Sequence, residues 1–408
     1  MKIIHFPGSF IPTIGGAEIA IYNVIIRLHD MGHSVYVLLP DSKIKSLTTK
    51  NYFPFHLIGY SRFLFSISKK LRTTKVLSNL LFSHYIKSLQ NKYRFDIWHF
   101  NMMGYQAFLS VPTLKLLGVP IVGTCHGADI QVMSEIGYGR RLEPKFNYEI
   151  ENVINDFDIL TANSGTMRNE YKKLGIPSKR VISVPAGVDY WRLNNTNICD
   201  DEVRIEYNIP FEKRIILSVG RNHPKKGFDQ ISLVISELLQ FRDNFIWLLV
   251  GGGMEEILDT LEAYNLRDYV KHISEIGITK DYSNSVNSID LPSRELIEIY
   301  KISDVFVFPT LLESFGQVFL EAMACSVPIV TTDAPGACDV IKHEYNGMVS
   351  KVFDYRAMAN NIEKVLNDKL LRERLISNGH TEAKACDWDK ISRLYHNSYK
   401  IAMKRGNK

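Results

Sequence analysis

The stretch Phe308–Gly336, FPTLLESFGQVFLEAMACSVPIVTTDAPG, decides how the rest of the chain is read. Phe306-Val307-Phe308-Pro309 closes an apolar run of strand character, Glu313-Ser314-Phe315-Gly316 has the composition of a turn, and Val318–Ala324 reads as helix. A strand, a glycine turn and a helix in that order put the backbone N–H groups of Gly316, Gln317 and Val318 at a helix start, where the dipole favours a phosphate. Glu321, about one turn into the helix, is placed to reach ribose hydroxyls. Glu313, with Ser314 and Phe315 beside it on the turn, is placed to reach the hydroxyls of a sugar. Either glutamate alone reads equally well as a helix-start carboxylate or a solvated surface group, but that reading leaves the whole arrangement unexplained.

Outward from this segment, short apolar runs alternate with helical patterns along almost the entire chain. Ile3–Phe6, Ser34–Leu39, Ile97–Phe100, Ile121–Thr124, Ile159–Ala162 and Val181–Val184 are one set of expected buried strands. Ile215–Val219, Phe245–Val250, Val270–Ile273, Val305–Pro309 and Pro328–Thr331 are a second. Glu18–Asp30, with Ile21, Val24, Ile25 and Leu28 at helical spacing, represents the stretches between them. Such alternation predicts an α/β protein with parallel sheets and helices on both faces, and two sets predict two doubly wound Rossmann-like domains. With 408 residues the chain is too long for one compact core. The boundary is expected between Asp189 and Arg214, where Asn194-Asn195-Thr196-Asn197 and Asp200-Asp201 break the apolar periodicity. The expected domains are 1–190 and 191–386, followed by a final helix within 387–408 that carries Trp388, Ile391, Leu394 and Tyr395 on one face.

Ligands of parallel sheets collect at the carboxyl ends of the strands, and further loops lie there. Gly15-Gly16-Ala17-Glu18 opens the helix after the first strand; its glycines serve either a close phosphate approach or a tight loop alone. Ser218–Gly227 joins a strand to a helix. Its cations suit a diphosphate, Arg221 through bidentate hydrogen bonds and Lys226 as a point charge, or else form a solvated basic loop. No G-x-G-x-x-G follows the first strand, which argues against a dinucleotide-binding dehydrogenase. His126, after a buried strand, is open to a structural or a functional role, and His223 reads as a loop residue.

Together these segments resemble glycosyltransferase family 4, a group of retaining enzymes with the GT-B fold. Glu313 and Glu321 match its E-x7-E motif, Gly15–Glu18 its glycine loop, and His126-Gly127-Ala128-Asp129 its H-G-x-D element. Ala162-Asn163-Ser164 and Val184–Asp189 look like the end of its first domain, and Gly220-Arg221 with Lys226-Gly227 like its donor-phosphate loop. The resemblance covers nearly the whole chain. It implies a site in the cleft between two domains, with the last helix returning to the first. There Arg221 and Lys226 hold the donor diphosphate, Glu321 the ribose and Glu313 the transferred sugar, while the Gly16 backbone and a catalytic His126 complete the site. It implies same-face transfer through an oxocarbenium-like ion pair without a covalent nucleophile, so Glu313 acts by positioning. Arg221, Lys226 and the helix start at Gly316 would stabilise the departing diphosphate, so neither a metal nor another cofactor is expected. Asp156-Phe157-Asp158 spells the D-x-D of metal-dependent transferases but runs straight into a strand, as an ordinary connection does. Three departures stand out: Ser326 where glycine is usual, Ala186 where asparagine is common, and a long Ile276–Ser293 segment that leaves the nucleobase open.

Bulk properties and charge bear on partners. Apolar residues make up 45% and charged residues 23% of the chain, a globular composition, and no run approaches the ~20 apolar residues of a spanning helix. The N-terminus reads as a first strand rather than a signal peptide, and five scattered cysteines without C-x-x-C spacing fit a reducing cytoplasm. The net charge of +5 is concentrated: between Asp41 and Asp96 there are eleven basic residues and no acidic one. Within it, Leu77, Leu81, Tyr85 and Leu89, with Leu80, form a stripe preceded by Lys69, Lys70, Arg72 and Lys75. The stretch 43–94 is expected either to contact an anionic membrane peripherally or to pack its stripe on the first sheet with the cations solvated. The expected activity is transfer of a hexose-type sugar from a UDP-sugar to a glycan or lipid-linked acceptor, in surface polysaccharide, lipopolysaccharide or glycolipid synthesis; no nucleic-acid partner is expected. The alternatives are a nucleotide-sugar epimerase of the same fold and a non-catalytic nucleotide-sugar-binding protein.

Overall fold

The computed structural model of the chain describes residues 1–48, 53–71, 78–274, 276 and 291–406. Runs of Ile, Val, Leu and Phe become parallel strands, because a strand covered by helices on both faces can be apolar throughout. In the first unit β1 (Lys2–Pro7), β2 (Ser34–Pro40), β3 (His56–Tyr60), β4 (Ile97–Asn101), β5 (Ile121–Thr124), β6 (Ile159–Ala162) and β7 (Val181–Ser183) form one sheet. Its order is β3-β2-β1-β4-β5-β6-β7. In the second, β8 (Arg214–Val219), β9 (Phe245–Val250), β10 (Val270–Ile273), β11 (Val305–Phe308), β12 (Ile329–Thr332) and β13 (Met348–Ser350) are ordered β10-β9-β8-β11-β12-β13. Strand order reverses between β1 and β4 and between β8 and β11. At such switch points the connections leave toward opposite faces and open a crevice at the carboxyl ends.

The structure contains every strand read from the sequence. The two that were not read, β3 and β13, are sheet edges: β3 has only Tyr60 fully buried, and β13 is three residues long, below the length at which an apolar run stands out. Each unit has its own core. Ile4, Phe6, Trp98, Phe100, Ile121 and Leu160 belong to the first, and Leu217, Trp247, Leu248, Phe306, Phe308 and Ile329 to the second.

The division between units falls at Pro185/Ala186, ahead of the expected 190. The reason is backbone pairing. Val188 N–H donates to the Cys386 carbonyl at 3.0 Å and Tyr190 N–H to the Asp387 carboxylate at 3.3 Å, which ties 188–190 to the end of the second unit. The polar stretch expected as a linker is instead helical, Tyr190–Asn195 and Asp200–Glu206, and anchored in the second core by Leu193 and Val203.

The last helix, Trp388–Gly406, belongs to the first unit with residues 1–185. Trp388 and Ile391 are buried, and Tyr399 Oη lies 2.8 Å from His99 Nδ1 on β4. His99 Nε2 continues to Thr124 Oγ1 at 2.8 Å, and Thr124 to Thr161, so the polar chain under this helix is fully partnered.

Ser326, noted as a departure, lies past the end of the Gln317–Ala324 helix at φ 65, the left-handed conformation that favours glycine. Its Oγ hydrogen-bonds His380 Nε2 at 2.9 Å, which offsets part of the backbone cost. Ser326→Ala and Ser326→Gly both remove that bond, but only alanine keeps the strain. Denaturant unfolding should therefore find the alanine variant less stable than the glycine variant by about 1 kcal/mol; equal stabilities would refute strain at this position.

Candidate active site

The second switch point is built from the loops leaving β8 and β11. After β8 the chain makes a single 3₁₀ turn, Pro224–Lys226, started by His223, whose ring accepts a hydrogen bond from Lys225 N–H at 3.3 Å. His223 thus has the structural role read from sequence. The Lys225 carbonyl accepts from Leu311 N–H at 2.7 Å and from Thr310 Oγ1 at 2.9 Å, which stitches the cation loop to the β11 loop. Two glycines let neighbouring loops come close to the β11 loop, Gly227 from the cation loop and Gly336 from the loop after β12. Gly227 (φ 65) and Gly336 (φ 84) are left-handed, and a Cβ would lie 2.0 Å from the Pro309 carbonyl oxygen in one case and 1.9 Å from that of Glu313 in the other.

The stitching brings Lys226 Nζ to 2.5 Å from Glu313 Oε1, with Lys225 Nζ 3.9 Å from Oε2 and Thr310 Oγ1 3.4 Å from Oε1. Lys226 Nζ also lies 4.8 Å above the Phe308 ring. Glu313 is only 3% exposed, so its charge depends on these partners. Burial pushes its carboxyl up, but Lys225, Lys226 and Thr310 outweigh that and hold it below the ordinary range, hence ionised at neutral pH. Burial lowers the Lys226 ammonium, and Glu313 opposes that shift.

Gly316, left-handed at φ 86, precedes the Gln317–Ala324 helix, and no side chain caps that helix start. Gln317 and Val318 are half-buried there, as is Ser314. Glu321 is not a solvated residue: it is 4% exposed and accepts a hydrogen bond from Tyr300 Oη at 3.0 Å. Phe315, expected beside a sugar, packs its ring in the second core instead, because the turn directs it inward. Arg221 is exposed at the start of the cation loop. Sequence reasoning assigned no role to Lys225, Thr310 or Tyr300. A second lysine beside Lys226 was the one available signal; Tyr300 lies on the Arg294–Lys301 helix, which no motif marks.

In the first unit, Gly15 precedes the Gly16–Asp30 helix with φ −165, an extended conformation open to any residue, so turn geometry does not demand this glycine. His126 follows β5. Asp129 braces its loop, accepting from the N–H groups of His126 at 3.0 Å, Gly127 at 2.9 Å and Met103 at 2.9 Å. Burial lowers the His126 ring to about 4, leaving it neutral, and its buried Nε2 has no hydrogen-bond partner among the described residues. The D-x-D segment is structural: Asp158 accepts from Ile121 N–H at 2.8 Å and lies 3.8 Å from Lys115. Among the described residues no group of three or more His, Cys, Asp or Glu is arranged to hold a metal ion.

The basic stretch divides. In the Ser78–Tyr93 helix, Leu89 of the stripe is buried in the first core beside Phe82 and Ile86, and Tyr85 of the stripe donates to the Gly59 carbonyl at 2.5 Å, so these two stripe residues pack inward. Leu77, Arg72 and Lys75, and the side chains of Leu80 and Leu81, lie outside the described residues. The Arg62–Leu71 helix exposes Phe63 (72%) and Leu64 beside Arg62, Lys69 and Lys70. No described helix is long and apolar enough to cross a membrane. Positions 277–290 of the long Ile276–Ser293 segment are outside the described residues.

Two parallel-sheet units of this topology have the GT-B fold. Family models agree: "Glycosyltransferase Family 4" matches residues 14–192 and "Glycosyl transferases group 1" residues 200–382. The chain belongs to glycosyltransferase family 4. It is 24% identical to an uncharacterized glycosyltransferase of Methanocaldococcus jannaschii, over 96% of this chain and 95% of the relative. It is 23% identical to the N-acetyl-alpha-D-glucosaminyl L-malate synthase of Bacillus anthracis, over 89% and 88%. Its fold matches Anabaena HepE, solved with UDP and glucose, at a TM-score of 0.75 and 18% identity, over 98% of this chain and 99% of that one.

Burial raises the Glu321 carboxyl from 4.5 to about 7, with Tyr300 and Arg192 pulling the other way. The native state therefore holds this proton more tightly than the unfolded chain. Its contribution favours folding below about pH 4.5 and is lost as pH rises through about 7. Glu321→Gln, neutral throughout, should gain stability over the wild type at pH 8, on the order of 3 kcal/mol, and lose that gain near pH 4.5. Unfolding measured at both pH values checks this; a gain that does not change with pH would refute it.

Proposed function

We propose that the chain is a retaining hexosyltransferase that moves a sugar from a UDP-sugar to a glycan or lipid-linked acceptor in surface polysaccharide or glycolipid synthesis. The observation that carries this reading is the buried Lys226–Glu313 pair beside the uncapped helix start at Gly316. As the bond from the anomeric carbon to the diphosphate lengthens, negative charge collects on the leaving group and positive charge on the sugar ring. Arg221, Lys225, Lys226 and the N–H groups of Gly316, Gln317 and Val318 meet the first without a metal, because fixed cations and dipoles need no reorganisation as charge develops. Glu313, held ionised, orients the sugar with Ser314 and faces the ring as it becomes cationic. Glu321 is assigned to ribose. In the first unit, the Gly16 backbone is assigned to phosphate approach. His126 is assigned a catalytic role there, its neutral ring offering a hydrogen bond to a substrate hydroxyl. Support for UDP and a hexose comes from HepE with UDP and glucose, and for a glucosamine-type donor from the malate synthase relative.

We assign the peripheral membrane contact considered for 43–94 to the Arg62–Leu71 helix, whose exposed Phe63 and neighbouring cations suit an anionic interface of the cytoplasmic membrane.

A thermal-shift series with UDP-, GDP- and ADP-sugars should show stabilisation by the UDP compounds. Glu313→Gln should lose turnover by a factor of ~100 or more while UDP still stabilises the protein, since a positioning group acts on the transition state. Near-normal turnover would remove Glu313 from the reaction. Sedimentation with phosphatidylglycerol vesicles should be salt-sensitive and lost in Phe63→Ser; unchanged binding would place the contact elsewhere.

A further inference from the structure

The first switch point, between β1 and β4, holds a cavity of about 230 Å³. That is the space of roughly seven or eight liquid waters, enough for one sugar ring or polyol and too little for an oligosaccharide. Pro7 and Gly8 after β1 and Met102 after β4 form its floor, Tyr60, Phe65 and Tyr105 its aromatic walls, and Gln106 and Arg140 its polar side. No carboxylate lines it.

Two positive features border this cavity, and a third lies against one of its wall residues. Arg140 lines it directly, and its guanidinium, 4.1 Å above the Phe146 ring, forms no ion pair among the described residues. Lys69 Nζ lies 4.1 Å above the ring of the wall residue Tyr105, and it too has no ion pair among the described residues. The Tyr105–Leu116 helix begins at the cavity, with no side chain capping it at Gly104. Gly104 is extended at φ −172, so glycine is not needed there for conformation. It is needed for space: a Cβ would lie 2.9 Å from Arg140 Nη1 and 3.0 Å from Gln106 Oε1. The small residue thus admits the guanidinium to the helix start. The Gln106 amide, buried and donating to the Met102 carbonyl at 2.6 Å, keeps that edge fixed.

Aromatic faces suit the C–H surface of a sugar or polyol, while a guanidinium, an ammonium and a helix start suit an anion. We propose that this cavity binds the acceptor and that the bound group is a monosaccharide-sized polyol carrying a phosphate or carboxylate, either free or as the headgroup of a lipid. That the occupant is an acceptor rests on the transferase reading above; that it is an anionic polyol rests on the cavity alone.

Isothermal titration of the full chain with glucose 6-phosphate and with glucose separates these points. The phosphorylated sugar should bind at least about tenfold more tightly, and Arg140→Ala and Lys69→Ala should each weaken it by about tenfold. UDP affinity, measured on the same samples, should not change in either variant, and circular dichroism and thermal unfolding matching the wild type show that the first unit is folded in both. Equal affinity for the two sugars, or phosphate binding insensitive to both substitutions, would overturn the proposal. Loss of UDP binding by the wild type would overturn the donor reading and leave the cavity result standing. In a Phe63→Ser background, Arg140-dependent capture by phosphatidylcholine vesicles containing phosphatidylinositol identifies a lipid headgroup. Glucose 6-phosphate binding without capture identifies a free acceptor.

Discussion

A carboxylate as enclosed as Glu313 can remain charged only if cations are held against it, and the second unit is arranged around that requirement. Taking such a group out of water costs several kcal/mol, and the cost is recovered only with close, well-oriented partners. Here the partners come from a different strand end, so the β8 and β11 loops must be joined by their backbones before the charges can meet. The Lys225 carbonyl joins them, Gly227 removes the atom that would hold them apart, and Gly336 lets the loop after β12 approach the Glu313 backbone. The result is a fixed negative group within a fixed positive surround. Such preorganisation is what a reaction that separates charge between a sugar and a diphosphate requires.

The first unit solves a related problem with the opposite economy of charge. Its switch point is surrounded by cations, yet the histidines nearby are neutral: burial alone lowers His5 to about 3 and His126 to about 4. Asp129 does not neutralise a cation there; it spends its two oxygens on three backbone N–H groups and so fixes the His126 loop. The cations of this switch point are left at its rim, on Arg140 and Lys69.

Much of this was legible in the order of residues, for a physical reason. A buried parallel strand must be apolar along its length, so strands such as β8 and β11 announce themselves, and the glycines and charges that follow them mark the carboxyl ends. β3, an edge strand, escapes because its residues before Tyr60 are only partly covered and so do not form an apolar run. The separation of Glu313 from Glu321 was readable, but not that Glu321 is enclosed, since Tyr300 reaches it from a helix with no distinguishing motif. Phe315 misled because an aromatic on a turn beside a glycine suits a ligand wall as well as a core. The polar run before β8 misled because Tyr190, Leu193 and Val203 anchor its two helices with only one or two buried side chains each, too sparse to show a period. The cavity at the first switch point was invisible: Tyr60, Tyr105 and Arg140 are far apart in the chain and meet only through the sheet order.

The hydrogen bond between His99 and Tyr399 spans 300 positions of sequence. During synthesis, β4 leaves the ribosome long before the helix that covers its buried histidine. The first unit must therefore wait, with the polar groups of His99 and Thr124 unsealed, until the whole second unit has been made. Residues 388–406 cover this site only after the second unit has been translated, so a chain that stops at Asp387 leaves the His99 ring without Tyr399.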